Sequence, residues 1–154
     1  MTTVATGRLF HGDDLGCKAF LAQQPQHYVY ILRRPDGRPF YVGKGYGPRV
    51  FQHENEARHP NNRLSNAYKL NVIRSIWRAG LKLIYEIDLI TTAADEAYAR
   101  EAALIGLIKQ LHEGGPLTNL AAGGARQQDR LRHQSSATQR RWAEYPTTIL
   151  SGQR

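Results

Sequence analysis

Between Phe40 and Glu54 the chain reads FYVGKGYGPRVFQHE, which puts a phenol, an ammonium, a guanidinium and an imidazole within fifteen residues. Arg49 and His53 are four apart, the spacing that places two side chains on one face of a helix. Such a pair suits phosphate-ester chemistry. The guanidinium can neutralise charge on a nonbridging oxygen as the transition state forms, and the imidazole can hold an attacking water or a neighbouring tyrosine. Arginine and histidine are also common on exposed helix faces, so the pair alone does not decide between the two readings. Lys44 lies in VGKGYG, which lacks the Lys-Ser/Thr ending of a phosphate-binding loop. It reads either as a turn lysine facing solvent or as a cation that favours a nearby phenolate.

Those side chains need elements to carry them. HYVYILRR predicts a strand with Tyr28, Tyr30 and Leu32 on one face and Val29 and Ile31 on the other, apolar enough for both faces to be covered. PDG at 35–37 supplies a turn and RPFYVG the partner strand, a hairpin that brings Tyr30 and Tyr41 onto neighbouring strands. From Pro48 the chain turns helical. Residues 62–79 predict an amphipathic helix with Leu64, Tyr68, Val72 and Ile76 inward, flanked by Ile73 and Trp77 and ended by Gly80. LKLIYEIDLI predicts a strand with Leu81, Leu83, Tyr85, Ile87 and Leu89 on one side. TTAADEA starts a helix, capped by Thr92, that runs to about Leu111.

On that last helix Glu101 is surrounded by Ala97, Leu104, Ile105 and Ile108, so its carboxylate falls on or beside the core-facing side. A carboxylate there needs water, a salt bridge or a cation. The functional version is a ligand for a hard divalent ion such as Mg²⁺, which needs few protein carboxylates. Asn119, between Leu117 and Leu120, reads as a clamp on the glycine-rich GGPLTNLAAGG or as a support for Glu101 or the hairpin. Residues 1–26 read as an extension without a motif, with CKAFLAQQP forming one helical turn before Pro25.

Length and composition set the outer bounds. A chain of 154 residues is expected to form one domain, and a formal charge of +8 with pI near 9.9 favours an anionic partner, nucleic acid above all. The charge is uneven: residues 1–26 are neutral, 27–124 carry +4, and 125–154 carry +4 from six basic and two acidic residues. A single cysteine, Cys17, excludes an intrachain disulfide and fits a reducing, cytoplasmic setting. No apolar run approaches the roughly 20 residues of a membrane span, and the start lacks the pattern of a secretory signal. The six histidines show no zinc-enzyme helix pattern, and no nucleophile turn of a serine hydrolase is present.

In order along the chain, YVY at 28–30, YVG at 41–43, Lys44, Arg49, His53, Glu101 and Asn119 resemble the GIY-YIG nuclease superfamily over residues 27–124. YVYILRRPDGRPFYVGKG and LTNLAAGG are similar to a subgroup found in some bacterial, phage and ankyrin/LEM-associated proteins. The resemblance implies an α/β domain with a three-stranded, mainly antiparallel central sheet flanked by helices, between an extension at 1–26 and a basic tail at 125–154. It further implies a metal-dependent DNA endonuclease hydrolysing phosphodiester bonds with one Mg²⁺ or Mn²⁺ per active site. By that resemblance Tyr30 or Tyr41 is the general base, and Lys44 assists the phenolate or the leaving-group region. Arg49 stabilises the transition state, His53 organises the nucleophile and a tyrosine, Glu101 binds the metal, and Asn119 supports the site. One departure stands out: Tyr28 occupies the place of the usual first glycine.

Lys44 and Arg49, with Arg126, Arg130, Arg132, Arg140 and Arg141 of the tail, are the expected nucleic-acid contacts. Double-stranded DNA is the expected partner, with no membrane involved. Two alternatives stand beside this reading: a noncatalytic nucleic-acid-binding module on the same scaffold, and a toxin or effector nuclease. The sequence leaves open DNA against RNA and monomer against homodimer.

Overall fold

A computed structural model describes residues 4–59 and 66–122. In chain order the elements are β1 (Val4–Gly12), α1 (Asp14–Ala22), β2 (His27–Arg33), β3 (Pro39–Tyr46), a short 3₁₀ helix (Gly47–Phe51) running into α2 (Gln52–Ala57), α3 (Ala67–Arg78), β4 (Ile84–Thr91), α4 (Ala94–Ile108) and a 3₁₀ turn (Leu111–Glu113). The strands form one antiparallel sheet in the order β1-β4-β2-β3.

The three-stranded sheet expected from the resemblance is therefore corrected to four strands, the fourth being β1 from the N-terminal extension. Its sequence hides it for a physical reason. Gly7 and Arg8 sit at φ 86° and 46°, in the left-handed region, and the pairing with β4 jumps from Thr6↔Leu89 to Phe10↔Ile87. Three residues of β1 thus span one of β4, a bulge that destroys the alternation by which a strand is read. Arg8 is anchored there by Glu86, whose Oε1 is 3.3 Å from the Arg8 Nε and 2.9 Å from that of Arg33. The segment expected to make one turn is a nine-residue helix, α1, capped by Asp13 through a 2.8 Å bond from the Gly16 amide.

The predicted hairpin is present. Residues 28–32 of β2 are all buried, and Tyr41 pairs with Leu32 and Gly43 with Tyr30. Gly37, at φ 94°, closes the turn with its amide donating to the Arg34 carbonyl at 2.8 Å. β4 begins at Ile84, later than LKLIYEIDLI suggests, and Leu81 is 52 % exposed. A second bulge, where Val29↔Leu89 is followed by Tyr30↔Ile87, carries Leu89 to the opposite sheet face from Tyr85 and Ile87.

Two hydrophobic layers result. On one face Tyr28, Tyr30, Leu32, Tyr85 and Ile87 pack with α1, α2 and α3 through Cys17, Leu21, Ala57, Leu70, Ile73 and Ile76. On the other, Val29, Ile31, Val42 and Leu89 pack with α4 through Ala97, Leu104 and Ile105. The inward stripe of α3 is Lys69, Leu70, Ile73 and Ile76; Tyr68, expected inward, is 59 % exposed, and Leu64 lies outside the described residues. Gly80 does end α3, at φ 75°. α4 starts after Ala93 and stops at Ile108, where Lys109 takes φ 85°, so it is shorter than the pattern predicts.

β1 covers the edge of β4, and α1 contributes Cys17 and Leu21 to the core. A chain starting at His27 is expected to lose at least about 3 kcal/mol of stability, since truncating one buried leucine alone costs about 2–5 kcal/mol. Urea unfolding measures this, and an unchanged midpoint would show that the first strand and helix are dispensable.

Candidate functional site

The site is built on the β2–β3 pair. Tyr28 and Tyr30 point to the same sheet face, where Gly45 and Gly43 stand opposite them. A Cβ on Gly43 would fall on the Tyr30 phenol, so the glycine of YVG is the space in which that ring lies. At Gly45 an added Cβ would sit 2.8 Å from the Arg49 Cβ and 3.1 Å from the Tyr28 hydroxyl. The two glycines let two tyrosines and an arginine crowd against bare backbone.

Tyr28, the departure from the family pattern, has a definite place. Its hydroxyl donates to the Gly47 carbonyl at 2.5 Å and accepts from the Val50 amide at 3.1 Å, fixing both ends of the turn that carries Arg49. Arg49 is half-buried and lies in the 3₁₀ segment, while His53 lies in the α-helix that follows, so the single predicted helix is two joined pieces. Burial lowers the Arg49 pKa, while the neighbouring Tyr30, Tyr41 and Glu56 oxygens act in the opposite direction. A guanidinium keeps its proton at neutral pH under such shifts, and it is poorly hydrated, a good state for meeting a phosphate.

His53 is buried, with Nε2 2.5 Å from the Tyr30 hydroxyl and Nδ1 2.8 Å from the Lys69 ammonium. Its ring centre lies 4.9 Å from that of Tyr41 and 5.6 Å from that of Tyr30, and the two tyrosine rings are 6.4 Å apart. Burial, then the Lys69 charge, pulls the imidazole down to about 3, so it is neutral at physiological pH. Tyr30 is 2 % exposed; burial pushes its phenol well up, the nearby Tyr41 and Tyr28 phenols and the Glu101 carboxylate add to this, and Arg49 opposes it. Tyr41 is only partly buried, so of the two signature phenols it is the one open to solvent.

Tyr30, Tyr41, Arg49 and His53 therefore meet on one sheet face. Glu101 is buried on the sheet-facing side of α4, one turn from Ala97 and Ile105, and its charge bears on Tyr30. Lys44, between Gly43 and Gly45, points to the opposite face, with its ammonium 3.9 Å from the centre of the Tyr98 ring on α4. Asn119 clamps the open edge of β3: its Oδ1 accepts from the Val42 amide at 3.0 Å and its Nδ2 donates to the Val42 carbonyl at 2.7 Å. Arg126, Arg130, Arg132, Arg140 and Arg141 lie outside the described residues.

Two residues with no sequence signal join the site. Lys69 is buried on α3 and reaches His53, and Glu56 on α2 lies 3.5 Å from both Lys69 Nζ and His53 Nδ1. Burial lowers the Lys69 pKa while Glu56 raises it. Asn66 brings Lys69 into place: its side chain caps α3 by accepting from the Tyr68 and Lys69 amides and donates to the Thr118 carbonyl at 2.6 Å. A lysine on an amphipathic helix reads as a solvated residue unless its partners are known.

Among the described residues no group of three or more His, Cys, Asp and Glu side chains is arranged to hold a metal ion. Glu101, a buried carboxylate on α4, is nonetheless the kind of hard oxygen donor that suits Mg²⁺, an ion that needs few protein carboxylates. No helix among the described residues is long and apolar enough to cross a membrane.

Residues 38–143 match the family model described as the LEM-3-like GIY-YIG domain, more than half of the chain. No match was found among curated proteins or solved structures.

Two expectations follow from this geometry. Gly43→Ala should destabilise the fold by about 1–3 kcal/mol, the usual result of forcing atoms into a packed site, and a Gly43→Ala protein as stable as the wild type in urea would contradict the placement of Tyr30. His53, lowered from 6.5 in the unfolded chain to about 3, favours the fold fully above 6.5, and that contribution is lost as pH falls toward 3. Across that window the wild type should gain up to about 1.4 kcal/mol per pH unit more than His53→Phe. Parallel stability curves for the two proteins would show that the imidazole is not held neutral.

Proposed function

The chain belongs to the GIY-YIG domain family, and we propose on that basis that it is a metal-dependent endonuclease hydrolysing phosphodiester bonds of DNA. The observation that carries this reading is the meeting of Tyr30, Tyr41, Arg49 and His53 against the bare backbone of Gly43 and Gly45. Two phenols, a desolvated guanidinium and a neutral imidazole can serve an in-line attack of water on phosphorus. A phenolate oxygen takes the water proton, the new O–P bond forms, and the bond to the 3′ oxygen breaks, leaving a 5′-phosphate and a 3′-hydroxyl once that oxygen is protonated. Arg49 bonds the nonbridging oxygens, on which negative charge is concentrated in the transition state. His53 holds the tyrosine oxygen, and the partly exposed Tyr41 borders the space where the phosphate enters.

Glu101 would hold the Mg²⁺ or Mn²⁺, and such an ion, when bound, would supply positive charge to offset that of the scissile phosphate. Lys44, turned toward α4 and stacked on Tyr98, fits a contact to backbone phosphate away from the reacting centre better than contact with a phenolate. The six basic residues of 125–154 add sequence-independent affinity for the duplex.

Nicking of supercoiled plasmid in Mg²⁺ is the test. The wild type is expected to cleave, Arg49→Ala to lose about 10²–10³-fold in kcat, and Glu101→Ala to lose cleavage while still binding DNA. A wild type that binds DNA but cuts neither DNA nor RNA with Mg²⁺ or Mn²⁺ would replace this reading with that of a noncatalytic binding module. Equal cleavage by Glu101→Ala would remove the carboxylate from the metal role.

A further inference from the structure

Lys69 places a buried ammonium against the imidazole of the site, on the side away from Tyr30. Its Nζ is 2.8 Å from His53 Nδ1, 3.5 Å from Glu56 Oε1 and 5.0 Å from the centre of the Tyr41 ring. An ammonium has donors and no acceptor. Facing one, Nδ1 must offer its lone pair, so a neutral His53 carries its proton on Nε2, and that proton points at the Tyr30 oxygen 2.5 Å away. We propose that Lys69 is a positioning residue for the hydrolytic site: it holds His53 as the Nε2–H tautomer, so that the imidazole donates to the Tyr30 oxygen and the proton of the phenol is turned away from the ring. The kinetic consequence rests on the nuclease reading above; the direction of the hydrogen bonds rests on the distances around His53 together with a charged Lys69 beside Glu56.

The opposite tautomer also has a place to go, which is what makes the lysine decisive. Glu56 Oε1 lies 3.5 Å from His53 Nδ1. Without the ammonium, Nδ1–H would donate to that carboxylate, Nε2 would become an acceptor, and the Tyr30 proton would be drawn into the imidazole. A phenol held as a donor in this way takes a proton from water only by passing its own to the imidazole, whereas one that accepts from Nε2–H has its phenolate form stabilised by that bond. Glu56 has two opposed parts here: its carboxylate favours the charged form of Lys69 against the effect of burial, and it is the acceptor for Nδ1–H if the lysine is lost. The titratable groups beside Tyr30 are Tyr28 on its own strand, Tyr41 on β3, Arg49 on the 3₁₀ segment and His53 on α2, and the charge of Glu101 on α4 also bears on it. Lys69 acts on Tyr30 through His53.

The tautomer is read directly by ¹H–¹⁵N correlation of the His53 ring in the full chain without substrate. The wild type and Lys69→Arg are expected to show Nε2–H, and Lys69→Met to show Nδ1–H; a wild-type ring protonated on Nδ1 would overturn the proposal, and that one spectrum decides it even where Lys69→Met does not fold. In plasmid nicking with Mg²⁺, Lys69→Met is expected to lose about 10-fold or more in kcat at neutral pH with KM for DNA unchanged. Its acid limb should move to higher pH, and Lys69→Arg should recover most of the rate. A loss confined to KM, or an equal loss in both variants, would count against the positioning role. A wild type that cuts no nucleic acid yet shows the Nε2–H ring would end the nuclease reading and leave the tautomer assignment standing.

Discussion

Tyr30 and Gly43 face each other on paired strands, and because Gly43 has no side chain the phenol can lie flat across the neighbouring backbone. From that contact the position of every other group at the site can be traced. The lowered ring leaves its oxygen at the level of His53, whose helix is in turn placed by the 3₁₀ segment folded back over Gly45. The second glycine admits the Arg49 stem and the Tyr28 hydroxyl, and that hydroxyl ties down the carbonyl and amide that flank Arg49. A sheet surface normally bristles with side chains on each strand; here it has been cleared over two alternate positions so that groups from four elements share one hollow.

Burial gives this hollow its electrical character. The imidazole is neutral, the ammonium behind it is balanced by Glu56, and the guanidinium is stripped of much of its water while surrounded by phenols. Unpaired charges in such a place would be strongly destabilising. The arrangement is tolerable because the charges come in opposed sets and because hydrogen bonds run between them. Under the nuclease reading proposed above, a dianionic transition state would complete a pattern of fixed dipoles and cations already in position, with little reorganisation.

The hairpin, the glycine turn, the end of α3 and the identity of the converging residues are legible in the sequence because they depend on local chemistry: alternation, Pro-Asp-Gly, a glycine at positive φ, and motif spacing. What escapes is what depends on distant partners. β1 is invisible because Gly7 and Arg8 interrupt its period, and it exists only because β4 offers an edge. Leu89 changes sides because of a bulge that alternation cannot foresee. Lys69 looks like any helix lysine until α2 brings His53 and Glu56 to it, and Tyr68 beside it, which the pattern turns inward, faces out by the same rotation. The direction of Lys44 follows from Gly43 and Gly45 lying on the tyrosine side, a fact that strand parity contains but that the proximity of letters in VGKG obscures.

Asn119 occupies both hydrogen-bonding positions of Val42, and Thr118 beside it bonds to the Phe40 carbonyl through its amide and its hydroxyl, each at 2.8 Å. These contacts join points 77 and 78 residues apart. During synthesis the hairpin can zip as soon as it emerges, yet its outer rim stays unprotected until nearly all of the described chain has been made, since such remote closures come late. A ribosome that stalled anywhere before Asn119 would present a half-finished protein with an open, adhesive border right beside the tyrosine cluster, and that is the interval in which a chaperone would be most useful to it.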